Sequence, residues 1–460
     1  MPARTGRVCA TTGGNGSVAD GHRSLFRLKE NQTTVRRELL AGVTTFMTMA
    51  YIVAVNPAIL GDPKGAGMPT EGVMAATCLA SALACVVMGL VARYPFALAP
   101  GMGLNAYFSY VVASQYGYQV ALGAVFLSGV VFLALTFLRV RQLIIDAIPD
   151  ALKHSVAAGI GLFIAFIGFQ HAGLVVPSGA TMVTSFGEKS PGLVVAVCGL
   201  VLVVILLSLR VRGAILIAIV AATVLALVLD VAQAPRPGEG QPWYGAFVAM
   251  PTFEVFGQLD IRGAFRVGFL VIFAFLFVDM FDSVGTLVGL ADRAGYLREG
   301  KLPRATQALF ADATGTIAGS VLGTSTVTSY VESAAGIEEG GRTGLTAIFV
   351  AVLFLAAVFF SPIVKIIPSQ ATAPALIVVG AMMMRCIEDI AWDDPTEMVP
   401  AFVVMAAMPF FYSIAQGIAL GFIFYPVAKV AAGKWREVHW LVYVLGLLFV
   451  LRFIFLGHIA

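Results

Sequence analysis

The sequence predicts an all-α polytopic membrane protein, and two observations carry that reading. Of its 460 residues, 59% are hydrophobic and only 12% are charged, against about 25% charged in a soluble domain; mean hydropathy is +0.91. Apolar runs of spanning length recur from Leu39 to Phe455. A third observation bears on function. The stretch FAFLFVDMFDSVGTLVGL, residues 273–290, places Asp279 and Asp282 inside such a run. Each Asp at the centre of a spanning helix costs about 2.5–3.5 kcal/mol on insertion scales.

Taken in order, residues 1–30 read as a disordered cytoplasmic tail, rich in Gly, Ser, Thr and Arg with little to bury. The tail has no apolar core of the secretory kind, so the expectation is targeting by the first span. Apolar runs set against breakers give fourteen spans, at 38–60, 71–92, 97–113, 117–138, 151–172, 191–208, 213–231, 265–290, 304–322, 326–337, 343–361, 368–386, 396–412 and 414–431. An apolar segment at 438–457 follows. Its short length and Arg452 favour a helix lying along the inner surface over a fifteenth span.

Orientation follows Lys and Arg in the short loops. With the N-terminus inside, the inner connections hold Arg93; Arg139, Arg141 and Lys153; Arg210 and Arg212; Arg293, Arg298, Lys301 and Arg304; Arg342; and Lys434 and Arg436. Outer loops are poorer, with Arg236, Arg262 and Lys365 as exceptions. The expected location is the cell (inner) membrane, multi-pass, with a cytoplasmic N-terminus.

The third and tenth spans are broken. YPFALAPGMGLNAYFSYVV, 94–112, is interrupted by Pro95, Pro100, Gly101 and Gly103; GSVLGTSTVTSYVESAAGI, 319–337, by Gly319, Gly323 and a Ser/Thr run. Small and β-branched residues favour extended backbone. Non-helical backbone at membrane depth survives only where it is buried in protein or lines a cavity. One broken span in each half of a chain points to a transporter with a midplane site. The expected half-helix starts, near Met102–Asn105 and Thr326–Thr328, would offer free N–H groups and the positive dipole end.

Intramembrane polar residues supply the candidate site. Asp279 and Asp282 lie three apart on nearly one helix face, with Thr286 four residues beyond Asp282. Asp312 lies early in span nine, Glu332 in the second broken span, and Asn105 at the corresponding place in the first. No Lys or Arg falls mid-span near Asp279, Asp282 or Glu332, and uncompensated carboxylates suit proton carriers. Phe108, Phe281 and Tyr330 are of a type that stacks on planar ligands, though packing is the commoner role. The five cysteines (Cys9, Cys78, Cys85, Cys198 and Cys386) suggest neither a disulfide framework nor a metal site.

At these residues the chain resembles the AzgA-like purine permeases of the nucleobase/ascorbate transporter superfamily, which includes the uracil permeases. The resemblance is carried by TTVRRELLAGVTTFMTMAYIVAVNPAIL (33–60), ALAPGMGLNAYFSY (97–110), VDMFDSVGTLVGLADRAG (278–295) and LFADATGTIAGSVLGTSTVTSYVESAAGIEEGGRTGLTA (309–347), and runs from about residue 31 to 430. It implies two inverted repeats of seven spans. Spans one to four (31–138) and eight to eleven (265–361) would form a core domain, and spans five to seven (139–264) and twelve to fourteen (362–431) a gate, with 432–460 as an apolar surface helix. It implies a homodimer that moves core past gate and imports guanine, hypoxanthine or adenine with a proton, with no cofactor, metal or nucleic acid. By the same resemblance Asp282 and nearby Thr286, Glu332 and Asn105 are site residues, and Asp279 and Asp312 are family-like positions.

A purine suits these groups. Guanine presents N1–H beside its 2-amino group, and a carboxylate accepts both. O6 and N7 suit backbone N–H groups at Gly103–Asn105 and Thr326–Thr328. Either Glu332 or Asp282 grips the donor edge while the other takes or relays the proton; the proton-coupling candidates are Asp279, Asp282, Asp312 and Glu332. The nearest alternative keeps the fold and carries uracil, xanthine or a small anion, although no basic residue stands at the half-helix ends. A more remote one is an intramembrane Asp-dependent enzyme, for which a second Asp-rich motif is missing.

Overall fold

The computed structural model describes residues 26–138, 148–179, 181–185, 190–233, 248–296 and 302–455. The tail up to residue 25 and the charges at Arg139, Arg141, Arg236, Arg298 and Lys301 lie outside the described residues. In chain order the helices are α1 (Val35–Met49), α2 (Ile52–Leu60), α3 (Thr70–Val87), α4 (Met102–Ala106), α5 (Tyr118–Leu138), α6 (Asp150–His171), α7 (Pro191–Ser208), α8 (Ala214–Val228), α9 (Ile261–Val267), α10 (Phe269–Arg293), α11 (Ala305–Leu322), α12 (Ser333–Glu338), α13 (Gly344–Ala357), α14 (Ser361–Ile366), α15 (Ser369–Met383), α16 (Pro395–Phe410), α17 (Ile414–Ala431) and α18 (Trp440–Phe455). Among the described residues four short strands join them: β1 (Leu98–Pro100), β2 (Val175–Ser178), β3 (Met182–Ser185) and β4 (Val327–Ser329).

Among the described residues, nine helical stretches are long and apolar enough to cross a membrane. The other five expected spans are α8, α11, α16 and the two broken segments, each too short or too polar to span as one apolar helix. Two boundaries differ from expectation. The eighth span is preceded by α9, which Asp260 caps through Gly263 N–H, and Gly268 at φ 103° separates α9 from α10. The loop after α6 forms an antiparallel β2–β3 ribbon, where β-branched and polar residues pair locally.

The helices pack in two groups. In one, α3 contacts α2, α11 and α13; α5 contacts α10 and α11; α1 contacts α12 and α13. In the other, α6 contacts α15, α16 and α17, and α7 contacts α8 and α15. Gly161 and Gly380 let the backbones of α6 and α15 touch: a Cβ on either would lie 2.6 or 2.4 Å from the opposite carbonyl oxygen. The groups meet where α4 touches α6 and α10 touches α17, the latter through Phe277 and Phe422 with ring centroids 5.5 Å apart.

The C-terminal helix α18 turns back along α17. Glu437 meets Lys429 at 2.9 Å, Gly446 backs onto the carbonyl of Phe422, and the Phe449 ring lies against both Phe422 and Phe273.

Candidate functional site

The two broken spans meet as β1 and β4, antiparallel, with Leu98 opposite Ser329, Ala99 opposite Thr328 and Pro100 opposite Val327. Pro100 has no N–H, so the ladder ends there. The next donor, Gly101 N–H, reaches Thr326 O at 3.0 Å, and Tyr330 N–H reaches Ala97 O at 2.9 Å. Side chains complete the crossing. Ser333 Oγ accepts from Ala97 N–H at 2.9 Å, Cys85 Sγ from Leu98 N–H at 3.2 Å, and Tyr330 O–H donates to Pro100 O at 2.6 Å. The backbone polar groups of the crossing are thus met inside protein, as membrane depth requires.

The first half-helix starts as expected, with Gly101 preceding α4. The second does not. Thr326–Thr328 is not a helix start: Val327–Ser329 is strand β4, and the helix begins at Ser333 with Glu332 in the capping position. Consecutive β-branched residues extend readily and pair with β1, and Val327 N–H is taken by Thr316 Oγ1 at 3.1 Å. Thr328 Oγ1 bonds Ser283 Oγ at 3.1 Å, and the hydroxyl of fully buried Thr326 has no hydrogen-bond partner among the described residues.

The structure sorts the four carboxylates into two pairs. Asp279 and Asp312 are fully buried. Thr316 O–H donates to Asp279 Oδ2 at 3.3 Å, and Ser329 O–H donates to Asp312 Oδ1 at 2.9 Å. Both brace β4. Asp282 and Glu332 are half-buried and close enough to interact electrostatically, with Tyr330 within reach of both. Asp282 Oδ2 lies 3.8 Å from where a side chain on Gly101 would begin, and among the described residues no side chain or backbone group donates to it. Asp279 and Asp282 lie three apart on α10 as expected, and the roughly 60° by which a three-residue step falls short of a full turn lets them meet different partners. Thr286 lies half-buried one turn beyond Asp282.

Asn105 and Gly103 also connect elements of the frame, and the buried Asn105 Nδ2 has no hydrogen-bond partner among the described residues. Asn105 is fully buried and its Oδ1 accepts from Ser325 O–H, which ties α4 to the loop before β4. A Cβ on Gly103 would lie 2.4 Å from Ile160 Cγ2 of α6, so this glycine allows the half-helix to meet the second helix group. Phe108 is fully buried, and Phe281 packs on Phe277 with centroids 4.6 Å apart.

Three features escape sequence reasoning. Tyr51, between α1 and α2, donates to Glu332 Oε1 at 2.6 Å; the only sequence signal is a lone phenol amid apolar residues. Glu38 is fully buried and accepts from Arg342 N–H, Thr343 N–H and Thr346 O–H, tying α1 to the start of α13. Beyond the end of α2, Asp62 Oδ2 accepts from Tyr110 O–H at 2.8 Å and lies 3.0 Å from His171 Nε2, in a cavity of about 990 Å³ between the two helix groups. Burial pushes the Asp62 carboxyl up, but hydrogen bonds from His171, Lys64 N–H and Tyr110 outweigh it and hold the group down at about 2.

Two half-helices meeting at a strand pair, with two half-buried carboxylates beside it, define a membrane carrier. Residues 36–420 match the Xan_ur_permease family, and the chain belongs to this permease family. It is 44% identical to the guanine/hypoxanthine permease PbuO of Bacillus subtilis over 93% of this chain and 99% of that one. It is 43% identical to the adenine permease AdeP of Escherichia coli over 94% and 96%. The transmembrane domain of a cyanobacterium bicarbonate transporter, BicA, superposes with a TM-score of 0.61 at 15% identity, covering 83% of this chain and 97% of that one, which is a likeness of fold.

Proposed function

We propose that this protein imports guanine, hypoxanthine and adenine by proton symport across the inner membrane. It is read as a carrier and not an enzyme. The observation that supports this most directly is Asp282: a carboxylate at the strand crossing, facing Glu332 and supplied with no protein donor among the described residues. A purine edge carrying N–H groups supplies the missing donors. One carboxylate grips that edge and the other exchanges the proton. Asp279 and Asp312 brace β4, and the α4 N-terminus meets the acceptor edge. A neutral purine gains nothing from membrane potential, whereas a cotransported proton gains about 2.3 kcal/mol per 100 mV, roughly fiftyfold accumulation.

The two packing groups support a core made of 31–138 and 265–361 and a gate made of 139–264 and 362–431, related as inverted seven-span repeats. The groups touch through Gly103 on Ile160 and Phe277 on Phe422, apolar contacts across which rigid bodies can slide. The working unit is a homodimer, its N-terminus in the cytoplasm, and α18 lies along the inner surface as an apolar surface helix.

The test is uptake of radiolabelled guanine, hypoxanthine, adenine and uracil by cells expressing the protein, with and without a protonophore. Protonophore-sensitive purine uptake is expected. Purine uptake indifferent to the protonophore would sink the coupling, and uracil uptake in place of purines would sink the substrate.

A further inference from the structure

A second cavity, of about 490 Å³, opens at the end of the bundle where α1 begins, opposite the Asp62 end. On the positive-inside count this end faces the cytoplasm. The connections before α1, after α3, after α10, before α11 and before α13 all contribute to it, and all belong to the helix group that carries the strand crossing. Among the described residues its lining holds four arginines (Arg27, Arg93, Arg304 and Arg342) against a single carboxylate, Glu30.

Glu30 is taken by Arg27 at 3.5 Å at the exposed rim. Among the described residues the other three guanidinium groups have no carboxylate partner within ion-pair distance. Arg304 lies over the Tyr94 ring, 4.3 Å from its centroid, and Tyr94 in turn stacks on Phe96 and tilts against Tyr296. Arg342 directs Nη1 at the carbonyls of Ile337 and Gly341. Arg93 adopts a left-handed backbone, φ 58°, which a non-glycine residue holds only against strain. The nearby buried Glu38 does not neutralise the set, since its oxygens already accept from Arg342 N–H, Thr343 N–H and Thr346 O–H.

The positive-inside tendency asks only for charge in the loops, and fully solvated side chains satisfy it. Here three arginines are half-buried and converge from separate connections onto one aromatic-walled cavity. Like charges gathered out of water require a counter-charge. The planar guanidinium fork matches a phosphate in two-pronged geometry. We propose that this cavity binds a phosphate-bearing anion, supplied by a nucleotide or by an anionic lipid headgroup, on the inward end of the substrate-carrying helix group.

The test uses the full-length protein in nanodiscs. In neutral phosphatidylcholine discs, inorganic phosphate, guanosine 5′-monophosphate and guanosine are titrated by calorimetry. In a parallel arm, retention of phosphatidylglycerol over phosphatidylcholine is read by native mass spectrometry. Both arms are run on wild type, on R93Q/R304Q and on R436Q as a distant control. The expected result is saturable binding of the nucleotide or retention of the anionic lipid, weakened at least about tenfold in R93Q/R304Q and unchanged in R436Q. Guanosine should not share that dependence on Arg93 and Arg304. Nucleotide binding alone assigns a soluble ligand, and phosphatidylglycerol retention alone assigns a lipid. No saturable binding in either arm, or equal binding by R93Q/R304Q, overturns the proposal. Should the double variant not fold, R93Q alone decides.

Discussion

The phenol of Tyr51 donates a 2.6 Å hydrogen bond to Glu332 Oε1, linking the break in the first span to the start of the second half-helix. The bond occupies one oxygen of a carboxylate that interacts electrostatically with Asp282. It places Tyr51 against the candidate site, although 281 positions of sequence separate the two residues.

Replacing Tyr51 by Phe keeps the ring and removes this donor. A hydrogen bond to a charged group contributes about 1.5–3 kcal/mol, so purine KM should rise by roughly tenfold or more while the protein stays folded. Initial uptake rates at matched expression measure this. An unchanged KM would remove Tyr51 from the site.

The two carboxylate pairs should separate experimentally. Asp282→Asn and Glu332→Gln should each lower purine uptake by about tenfold to a hundredfold, with little change in melting temperature. Asp279→Asn and Asp312→Asn loosen the bracing of β4 and should destabilise by about 1–3 kcal/mol. Thermal melts in detergent, run beside uptake assays, distinguish the pairs. Equal melting losses in all four variants would refute the division.

Gly103 meets Ile160 where the helix groups touch. Gly103→Val should wedge them apart and cut uptake roughly tenfold, an effect on the scale of the 1–3 kcal/mol of an overpacked core. Ile160→Ala in the same chain should restore much of the loss, as expected of residues in direct contact. The informative measurement is the double-mutant cycle on uptake rate; additive losses would show that the contact is not the cause.

Asp62 predicts a pH dependence whose sign is set. Its carboxyl is held at about 2, below the ordinary 3.8. A depressed carboxylate contributes stability that is fully present above the unfolded pKa and is lost as pH falls toward the folded one. Wild type should therefore exceed Asp62→Asn by on the order of 1 kcal/mol, discounted for partial solvent screening, with no trend between neutral pH and about pH 5. The difference should shrink below about pH 4 and be nearly gone near 2. Melts across that range check it; a gap that widens with acid would contradict the sign.

The sequence by itself determined the membrane class, the placing of the spans and the two breaks. Spanning length, apolar composition and backbone-breaking residues are local properties, and lipid leaves the backbone few ways to satisfy its polar groups. It also named the carboxylates, because a charge inside an apolar run is conspicuous. Tertiary structure alone decided which partners each of them meets. Asp279 and Asp282 look alike in one helix, yet one faces Thr316 behind β4 and the other faces Gly101 and Glu332. Thr326–Thr328 has the composition of a helix entrance, but it is a strand because β1 is there to pair with it. Tyr51, Glu38 and the Asp62–Tyr110–His171 cluster left no local pattern, since their partners lie 48 to 308 positions away. Long-range pairing of buried polar groups depends on how whole helices dock, and that is set by packing across the bundle and not by the residues on either side in the chain.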